Sequence, residues 1–495
     1  MATDSATVES KSIDWIPLGE RRGKPSMLFP LWFMSNANLT TLATGMVGAS
    51  LGASFLTSLV AIVLGAAVGT VFTAFHSAQG PQLGLPQMIQ SRAQFGYRGV
   101  VVICAVVIFS IVGFNIFNQI LAGDVLTMTT GVDARNLWFV IITALALALA
   151  IYGYHWIHRV QNWLTWLFLA TFGVFTVVAL VTLHLPHGQF GFAGFSWPAF
   201  LVQFAAAAAY ALGWAPYVSD YSRYLPPQTS PGKALFYTYG GVFVGSSWLM
   251  ILGAFVAALF ADVSPLEAVR QAADGILPGA GLWLLVAALP GLVTVITVNI
   301  YASSIELITI IDSFRAVSPT RRLRVGACVV IGLAGLLGAV LSTGEFLDNF
   351  GSFLVILLYL LVPWTSVNLV DYYFVRRGRY AIGEIFVPRG GVYGTWGWRG
   401  LAAYAIGIIA MIPFVVTVWY TGPVANALGG VDVALFVGLF ASAVAYLLMA
   451  RSLDLAAEQA KAQSDAREHG FEAVSFASPR TGAGTASLTD GGQSS

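Results

Sequence analysis

The sequence predicts an all-α polytopic membrane protein with twelve transmembrane helices, on three observations. The first is composition. Of 495 residues, 57% are hydrophobic and only 9% are charged, with a mean hydropathy of +0.77. A soluble domain carries about 25% charged residues. The second is a series of apolar runs, each close to the ~20 residues that a helix needs to cross a bilayer. The twelve runs lie near 27–48, 54–77, 100–123, 137–153, 160–183, 197–219, 238–261, 281–308, 325–342, 347–374, 401–421 and 432–450, and are called spans 1 to 12. The third is positive charge, which collects in cytoplasmic loops. With the N-terminus inside, 22 of 24 Lys and Arg residues fall on the cytoplasmic side, and only Arg135 and Arg270 fall outside. A different span count would scramble that partition.

The flanks follow from the same reading. Residues 1–26 form a charged cytoplasmic N-tail with no apolar stretch of signal-peptide type. Residues 27–450 form the membrane domain, in a cell membrane with both termini inside. Residues 451–495 form a polar C-tail, expected to begin as a helical extension (LDLAAEQAKAQSDAREHG) and to end disordered over Arg480–Ser495, a solvated end. A net charge of +1 leaves no basic face for nucleic acid. The lipid bilayer is the expected surrounding, and no obligate protein partner is inferred. Cys104 and Cys328 lie in apolar runs, without a disulfide framework or a CxxC motif. His155 and His158 have helical spacing but no acidic third ligand nearby. Neither a metal site nor another cofactor nor a catalytic cluster is expected, so the chain is not read as an enzyme.

Span 1 departs most from a plain anchor. It reads SMLFPLWFMSNANLTTLATGMVGASLG, placing Ser35, Asn36, Asn38, Thr40, Thr41 and Thr44 at membrane depth, followed by Gly45 and Gly48. An unpaired polar group in hydrocarbon costs several kcal/mol. Such a segment must face protein or a water-filled cavity, and it marks a substrate or ion site. Span 3 carries FSIVGFNIFNQILAGD. Phe114 and Asn118 lie four residues apart and share a face, with Asn115 and Gln119 on the adjacent stripe. An aromatic ring one turn from an amide suits a planar heterocycle, which stacks on the ring and bonds the amide along its edge. A lone Asn would more simply join two helices.

Span 6 reads FLVQFAAAAAYALGWAPYVSDYSRYLPP. Gly213 and Pro216 bracket Trp214, and proline breaks the helical ladder. Spans 1 and 6 are thus both interrupted, five spans apart. Paired interruptions in corresponding halves point to inverted repeats with the site at the breaks. Span 8 carries Thr294, Thr297, Asn299, Ser303, Ser304 and Glu306. Asn299 and Ser303 share one face, and the hydroxyls suit a cation that wants oxygen ligands. Glu306 is either a proton carrier or the partner of a cation such as Arg315.

At these residues the chain resembles the nucleobase:cation symporter-1 family, the purine–cytosine permeases. The likeness runs from Ile16 to about Tyr380. It is carried by IPLGERRGKPSMLFPLWFMSNANLTTLATG, by GPQLGLPQMIQSRAQFGYRG, by the span 3 stripe, by WAPYVSDYSRYLP and by VNLVDYYFVRRGRY. The resemblance implies a leucine-transporter-like five-plus-five inverted repeat (about 27–183 and 197–374) plus two C-terminal helices (about 401–450). It implies uptake of nucleobases or related rings (cytosine, purines, uracil, hydantoins, allantoin) with Na⁺ or H⁺. The family's stacking aromatic falls on Phe114 and its amide on Asn118. The span 6 aromatic falls near Tyr210 or Ala211, with Trp214 as the alternative. The span 8 amide falls on Asn299 and a second polar position on Ser303.

Where sodium-coupled members carry adjacent hydroxyls, this chain has Thr297 and Val298, with Thr294 one turn earlier. The coupling ion, H⁺ or Na⁺, stays open between Thr294, Thr297 and the carbonyls near Asn36–Leu39 on one side and Glu306 on the other, with H⁺ slightly favoured. The resulting expectation is symport by alternating access. The base would sit between spans 1, 3, 6 and 8, on Phe114 and Tyr210 or Trp214. Asn118 and Asn299 would read its edge, and the break at Asn36 and Asn38 would supply backbone groups. The alternatives are an amino-acid, amine or vitamin carrier of the same fold, or a receptor that does not transport.

Overall fold

The computed structural model describes residues 13–469 except 153, 193, 261–262, 318–319, 343–345 and 389, and the side chains of 152–165, 346–348 and 466–469 are also undescribed. The expected N-tail up to residue 12, the C-tail from residue 470, and the side chains of His155 and His158 therefore lie outside the described residues.

Every apolar run holds helix. Among the described residues, seven helices are long and apolar enough to cross a membrane: Phe55–Leu83, Val100–Thr130, Trp197–Ser222, Pro231–Leu259, Ala280–Phe314, Arg321–Leu341 and Asn349–Val375. Shorter apolar helices Arg135–Ile151, Trp166–Thr182 and Trp398–Phe414 occupy spans 4, 5 and 11, and Ala434–Ala450 occupies span 12. Span 1 is divided into Leu28–Asn36, Leu39–Thr44 and Val47–Ser50. Span 11 ends earlier than hydropathy predicts. Its helix stops at Met411, and after a short turn Val416 bridges to Thr421. Pro413 lacks the N–H that would continue the ladder. An apolar run does not distinguish a helix from the apolar turn that follows it.

Small residues set the close helix pairs, as expected where packing rather than solvent exclusion holds helices together. Spans 1 and 7 meet backbone to backbone. A Cβ on Gly45 would lie 1.8 Å from the Met250 carbonyl oxygen, and one on Gly253 would lie 2.0 Å from that of Leu42. Spans 2 and 6 meet likewise, with Gly69 against Ala208 in the alanine run. Overpacking costs about 1–3 kcal/mol. Gly253→Leu is therefore expected to lower the melting temperature of the purified protein by several degrees; an unchanged melting curve would refute the close approach.

Two features were not expected. The polar segment between spans 2 and 3 is not a solvated loop. It folds into helices Gln79–Leu83 and Gln87–Phe95, whose residues are all buried. Its amides are paired with other spans: Gln79 donates to Asn368 Oδ1 (2.9 Å), Gln94 donates to Asp371 Oδ2 (2.6 Å), and Ser219 donates to Gln87 Oε1 (2.6 Å). Arg92 pairs with Asp312 at 2.9 Å. Burial and the hydrogen bond to Asp312 push the nearby Tyr97 phenol up to about 12, so it remains a donor. The wedge ties one end of spans 2, 6, 8 and 10 together.

The second feature is the helix Leu455–His469, which docks against the protein instead of ending in solvent. Arg376, at the end of span 10, is bonded to Asp371 and donates to Glu458 of that helix at 2.8 Å. Asp371 also accepts from Tyr380 and Tyr446.

Candidate functional site

The two breaks are built differently. In span 1 the chain leaves the helix at Ala37 (φ −86°, ψ 75°) and passes through extended Asn38 (φ −152°, ψ 168°). Asn38 then caps the next helix, its Oδ1 accepting from the Thr41 N–H at 3.1 Å. Asn is a preferred cap because its side-chain oxygen satisfies a donor that the helix start leaves orphaned. In span 6 the helix ends at Leu212, and Ala215–Tyr217 forms a single tight turn around Pro216.

The breaks are cross-linked. Trp214 Nε1 donates to Asn36 Oδ1 (3.0 Å), and Asn36 Nδ2 donates to the Trp32 carbonyl (2.6 Å). Asn38 Nδ2 donates to the Ser35 carbonyl (3.1 Å) and to the Tyr210 hydroxyl (3.4 Å), which also meets Thr41 Oγ1 at 2.5 Å. Asn36 and Asn38 thus spend their side chains holding the aromatics of span 6.

Beside the breaks lies a small, nearly closed cavity of about 10 Å³, lined by Phe114, Asn118, Tyr210, Gly213, Trp214, Tyr217, Val295 and Asn299. Five residues picked out in the sequence (Phe114, Asn118, Tyr210, Trp214 and Asn299) converge here, at most 9% exposed. Phe114 stands edge-on to Tyr210 (centroids 5.6 Å, 88°) and is backed by Phe353 (5.3 Å). Trp214 stands edge-on to Tyr217 (5.6 Å, 84°). Ala211 faces away, its carbonyl accepting from Thr73 of span 2.

The two amides are oriented by their neighbours. Asn118 Oδ1 accepts from the Thr40 hydroxyl, which leaves its NH₂ free. Asn299 Nδ2 donates to Asn115 Oδ1 (3.0 Å), which leaves the Asn299 carbonyl oxygen free. The cavity therefore offers a donor amide from Asn118 and an acceptor oxygen from Asn299 between aromatic walls that include the Tyr217 phenol, and no charged side chain lines it.

The other predicted residues lie outside the cavity lining. Ser303 is fully buried and its hydroxyl has no partner. Thr294 and Thr297 donate to the Pro290 and Val293 carbonyls of their own helix (2.7 and 2.8 Å). Glu306 lies about 10 Å beyond Asn299 along the helix axis. It is 1% exposed, and neither carboxyl oxygen has a hydrogen-bond partner. Asp220 and the Cys104 thiol lie within its electrostatic reach. Sequence reasoning missed Tyr217 and the holding roles of Thr40 and Thr41. Tyr217 follows Pro216 within WAPYVSDYSRYLP, which was its only signal.

Comparisons with known proteins show the family and the fold. The family model described as "Permease for cytosine/purines, uracil, thiamine, allantoin" matches residues 15–438. YxlA of Bacillus subtilis (strain 168), whose name assigns it to the purine-cytosine permeases, is 37% identical over 443 residues, 89% of this chain and 96% of its own. The purine-cytosine permease fcyB of Emericella nidulans is 24% identical over 463 residues, 89% of this chain and 88% of its own. Among solved structures, Mhp1, a nucleobase-cation-symport-1 family transporter in a closed conformation with bromovinylhydantoin bound, aligns with a TM-score of 0.72 at 19% identity. The match covers 94% of this chain and 100% of that one. That likeness shows the leucine-transporter-like fold. The chain belongs to the family of permeases for cytosine/purines, uracil, thiamine and allantoin.

Proposed function

We propose that this permease imports a neutral planar heterocycle, a nucleobase or a hydantoin- or allantoin-like ring, by cation symport with alternating access. The observation that carries this reading is the uncharged cavity with its aromatic walls and its two free amide groups of opposite sense. A flat ring bearing both N–H and C=O groups matches it. A zwitterionic amino acid or an amine would leave its charge unanswered, and burying an unpaired charge is costly. Phe114 and Tyr210 or Trp214 stack the ring, Asn118 donates to its edge and Asn299 accepts from it. Asn36 and Asn38 position the span 6 aromatics, while backbone groups freed at the breaks complete the site. Ser303, one turn from Asn299, extends the polar face.

The chain sits in the plasma membrane with both termini cytoplasmic, which the partition of Lys and Arg supports. Spans 1–5 (about 27–183) and 6–10 (about 197–374) form two inverted repeats, and spans 11 and 12 (about 401–450) are added to them. The proton is the favoured coupling ion. Among the described residues no cation pairs with Glu306, and the weak Cys104 thiol beside it is a poor partner for a charge. Thr294 and Thr297 carry the sodium alternative, since their hydroxyl oxygens donate within their own helix and keep lone pairs available.

The test is counterflow of radiolabelled cytosine and adenine in proteoliposomes, with competition by hydantoin, allantoin and free amino acids. A heterocycle is expected to exchange and amino acids not to compete. Thermal shift with the same compounds, with and without Na⁺, reports binding separately. Binding without exchange would make the protein a receptor, and competition by amino acids would refute the substrate class.

A further inference from the structure

A second concave site lies far from the central cavity, where the ends of spans 10 and 12 meet the helix Leu455–His469. The open groove holds about 400 Å³, and its walls include Phe374, Arg377, Arg379, Leu447, Arg451 and Gln459. Arg376 also reaches it, but its charge is neutralised by Asp371 and Glu458. The other three arginines form no ion pair and no side-chain hydrogen bond among the described residues. Like charges gathered without a counter-charge repel, so this arrangement carries a cost that an anion would remove.

Two further features separate the groove from an ordinary solvated basic face. Arg377 holds φ +51°, the only positive value at a non-glycine residue among the described ones. A glycine would adopt that conformation at lower cost. Strain of this kind persists where the side chain is needed. The groove is also half apolar: Phe374 is 68% exposed and Leu447 is 42% exposed on its walls. Phe374 is in the last turn of a membrane-crossing helix, and the arginines begin just beyond it. That is the height at which a bilayer changes from acyl chain to headgroup.

We propose that this groove binds an anionic phospholipid. Arg377, Arg379 and Arg451 hold the headgroup phosphate, and the acyl chains lie along Phe374 and Leu447. Guanidinium groups match phosphate oxygens in a bidentate fork. A zwitterionic headgroup would bring its own cation into a site that already has three, so charge complementarity selects a headgroup with net negative charge. Basic pockets between membrane helices on the cytoplasmic side recognise lipids in this way. The bound lipid would clamp spans 10 and 12 to the C-terminal helix. The inference does not depend on which substrate the central cavity takes.

The test uses the full-length protein purified in neutral detergent. Melting temperature is measured with added phosphatidylglycerol, phosphatidylcholine or inorganic phosphate, and lipid retention is read by native mass spectrometry. Phosphatidylglycerol is expected to stabilise the protein and to remain bound, whereas phosphatidylcholine and inorganic phosphate do not. Each Arg→Gln change in the groove should weaken retention about five-fold. R377Q/R379Q/R451Q together should abolish it, and the control R315Q/R321Q/R322Q should not. The single variant R451Q, on a different helix from the other two, keeps the test decisive if the triple variant fails to fold. Equal stabilisation by phosphatidylcholine, equal stabilisation by phosphate alone, or full retention in R451Q and the groove triple would each overturn the proposal.

Discussion

Asn118→Ala and Asn299→Ala are each expected to lower uptake efficiency about 10- to 100-fold while leaving insertion and melting behaviour near wild type. The reason lies in how the amides are held. Thr40 occupies the Asn118 carbonyl, and Asn115 occupies one N–H of Asn299. These partners fix which end of each amide faces the cavity. Asn118 therefore presents a donor and Asn299 an acceptor. Removing either leaves one group on the ring edge unpaired in a site where few lining atoms could replace it, a loss of about 1–3 kcal/mol. The loss should differ between substrates. A ring lacking the carbonyl that meets Asn118 should be transported poorly by the wild type and should lose little more in Asn118→Ala, because the site then lacks the unsatisfied donor. The measurement is initial-rate uptake of labelled cytosine and adenine, normalised to inserted protein. Wild-type rates in both variants would remove the two residues from the substrate site.

The same residues show how far the sequence could be read. Phe114, Asn118 and Asn299 were legible because polar or aromatic residues inside an apolar helix stand out, and because a spacing of four puts Phe114 and Asn118 on one face. The breaks were legible because Asn, Gly and Pro each disturb a helix for a local reason. The use made of Asn36 and Asn38 was not legible. Both are as buried and polar as Asn118, yet one bonds Trp214 and the other Tyr210, partners more than 170 residues away in the chain. Periodicity within one helix carries no information about such pairings. Both Tyr210 and Trp214 reach the cavity for the same reason: they lie four residues apart on one face, and the chain keeps helical dihedrals through Gly213 and Trp214 before the turn around Pro216.

Hydropathy located the helices but misplaced the polar segments between them. Gln79, Gln87 and Gln94 lie in the polar segment after span 2, yet they are buried because Asn368, Ser219 and Asp371 answer them from other spans. A buried amide is tolerated when it is paired, and the pairing is a tertiary property. The C-terminal helix hid its role in the same way. Its composition is that of a polar extension, and tertiary contacts explain why it docks: Arg376 meets both Asp371 and Glu458, Lys461 meets Glu384, and Ala462 is buried against Ile382 and Ile385. One end of spans 2, 6, 8, 10 and 12 is therefore held by polar bonds, whereas spans 1 and 7 are held by glycine contacts. Alternating access needs interfaces that rearrange as units. The polar end, whose hydrogen bonds can exchange partners with water, is better suited to open than the close-packed pair Gly45 and Gly253.

Glu306→Gln is expected to abolish concentrative uptake driven by a proton gradient while leaving counterflow near wild type. Glutamine keeps the shape of the side chain but cannot carry a proton through the cycle. Exchange of labelled for unlabelled substrate needs no net ion movement, so it should survive and show that the protein is folded and the central site intact. The carboxyl group is suited to this role by what surrounds it: burial to 1% exposure, no hydrogen-bond partner at either oxygen, and Asp220 within electrostatic reach. Asp220 is better satisfied on one side, where Oδ1 accepts from the Gln87 N–H at 2.9 Å, so Asp220→Asn should impair uptake less. An ion drives transport only through its different affinity for the outward and inward states. Glu306 meets that requirement if opening the polar end admits water to it, since hydration favours the charged form and releases the proton on the side to which that end opens. The readouts are substrate accumulation under an imposed pH gradient and substrate-dependent alkalinisation of the medium, each with Na⁺ or choline as the bulk cation. Wild-type accumulation by Glu306→Gln, together with dependence on Na⁺ and loss in Thr297→Ala, would transfer the coupling role from the carboxylate to the span 8 hydroxyls.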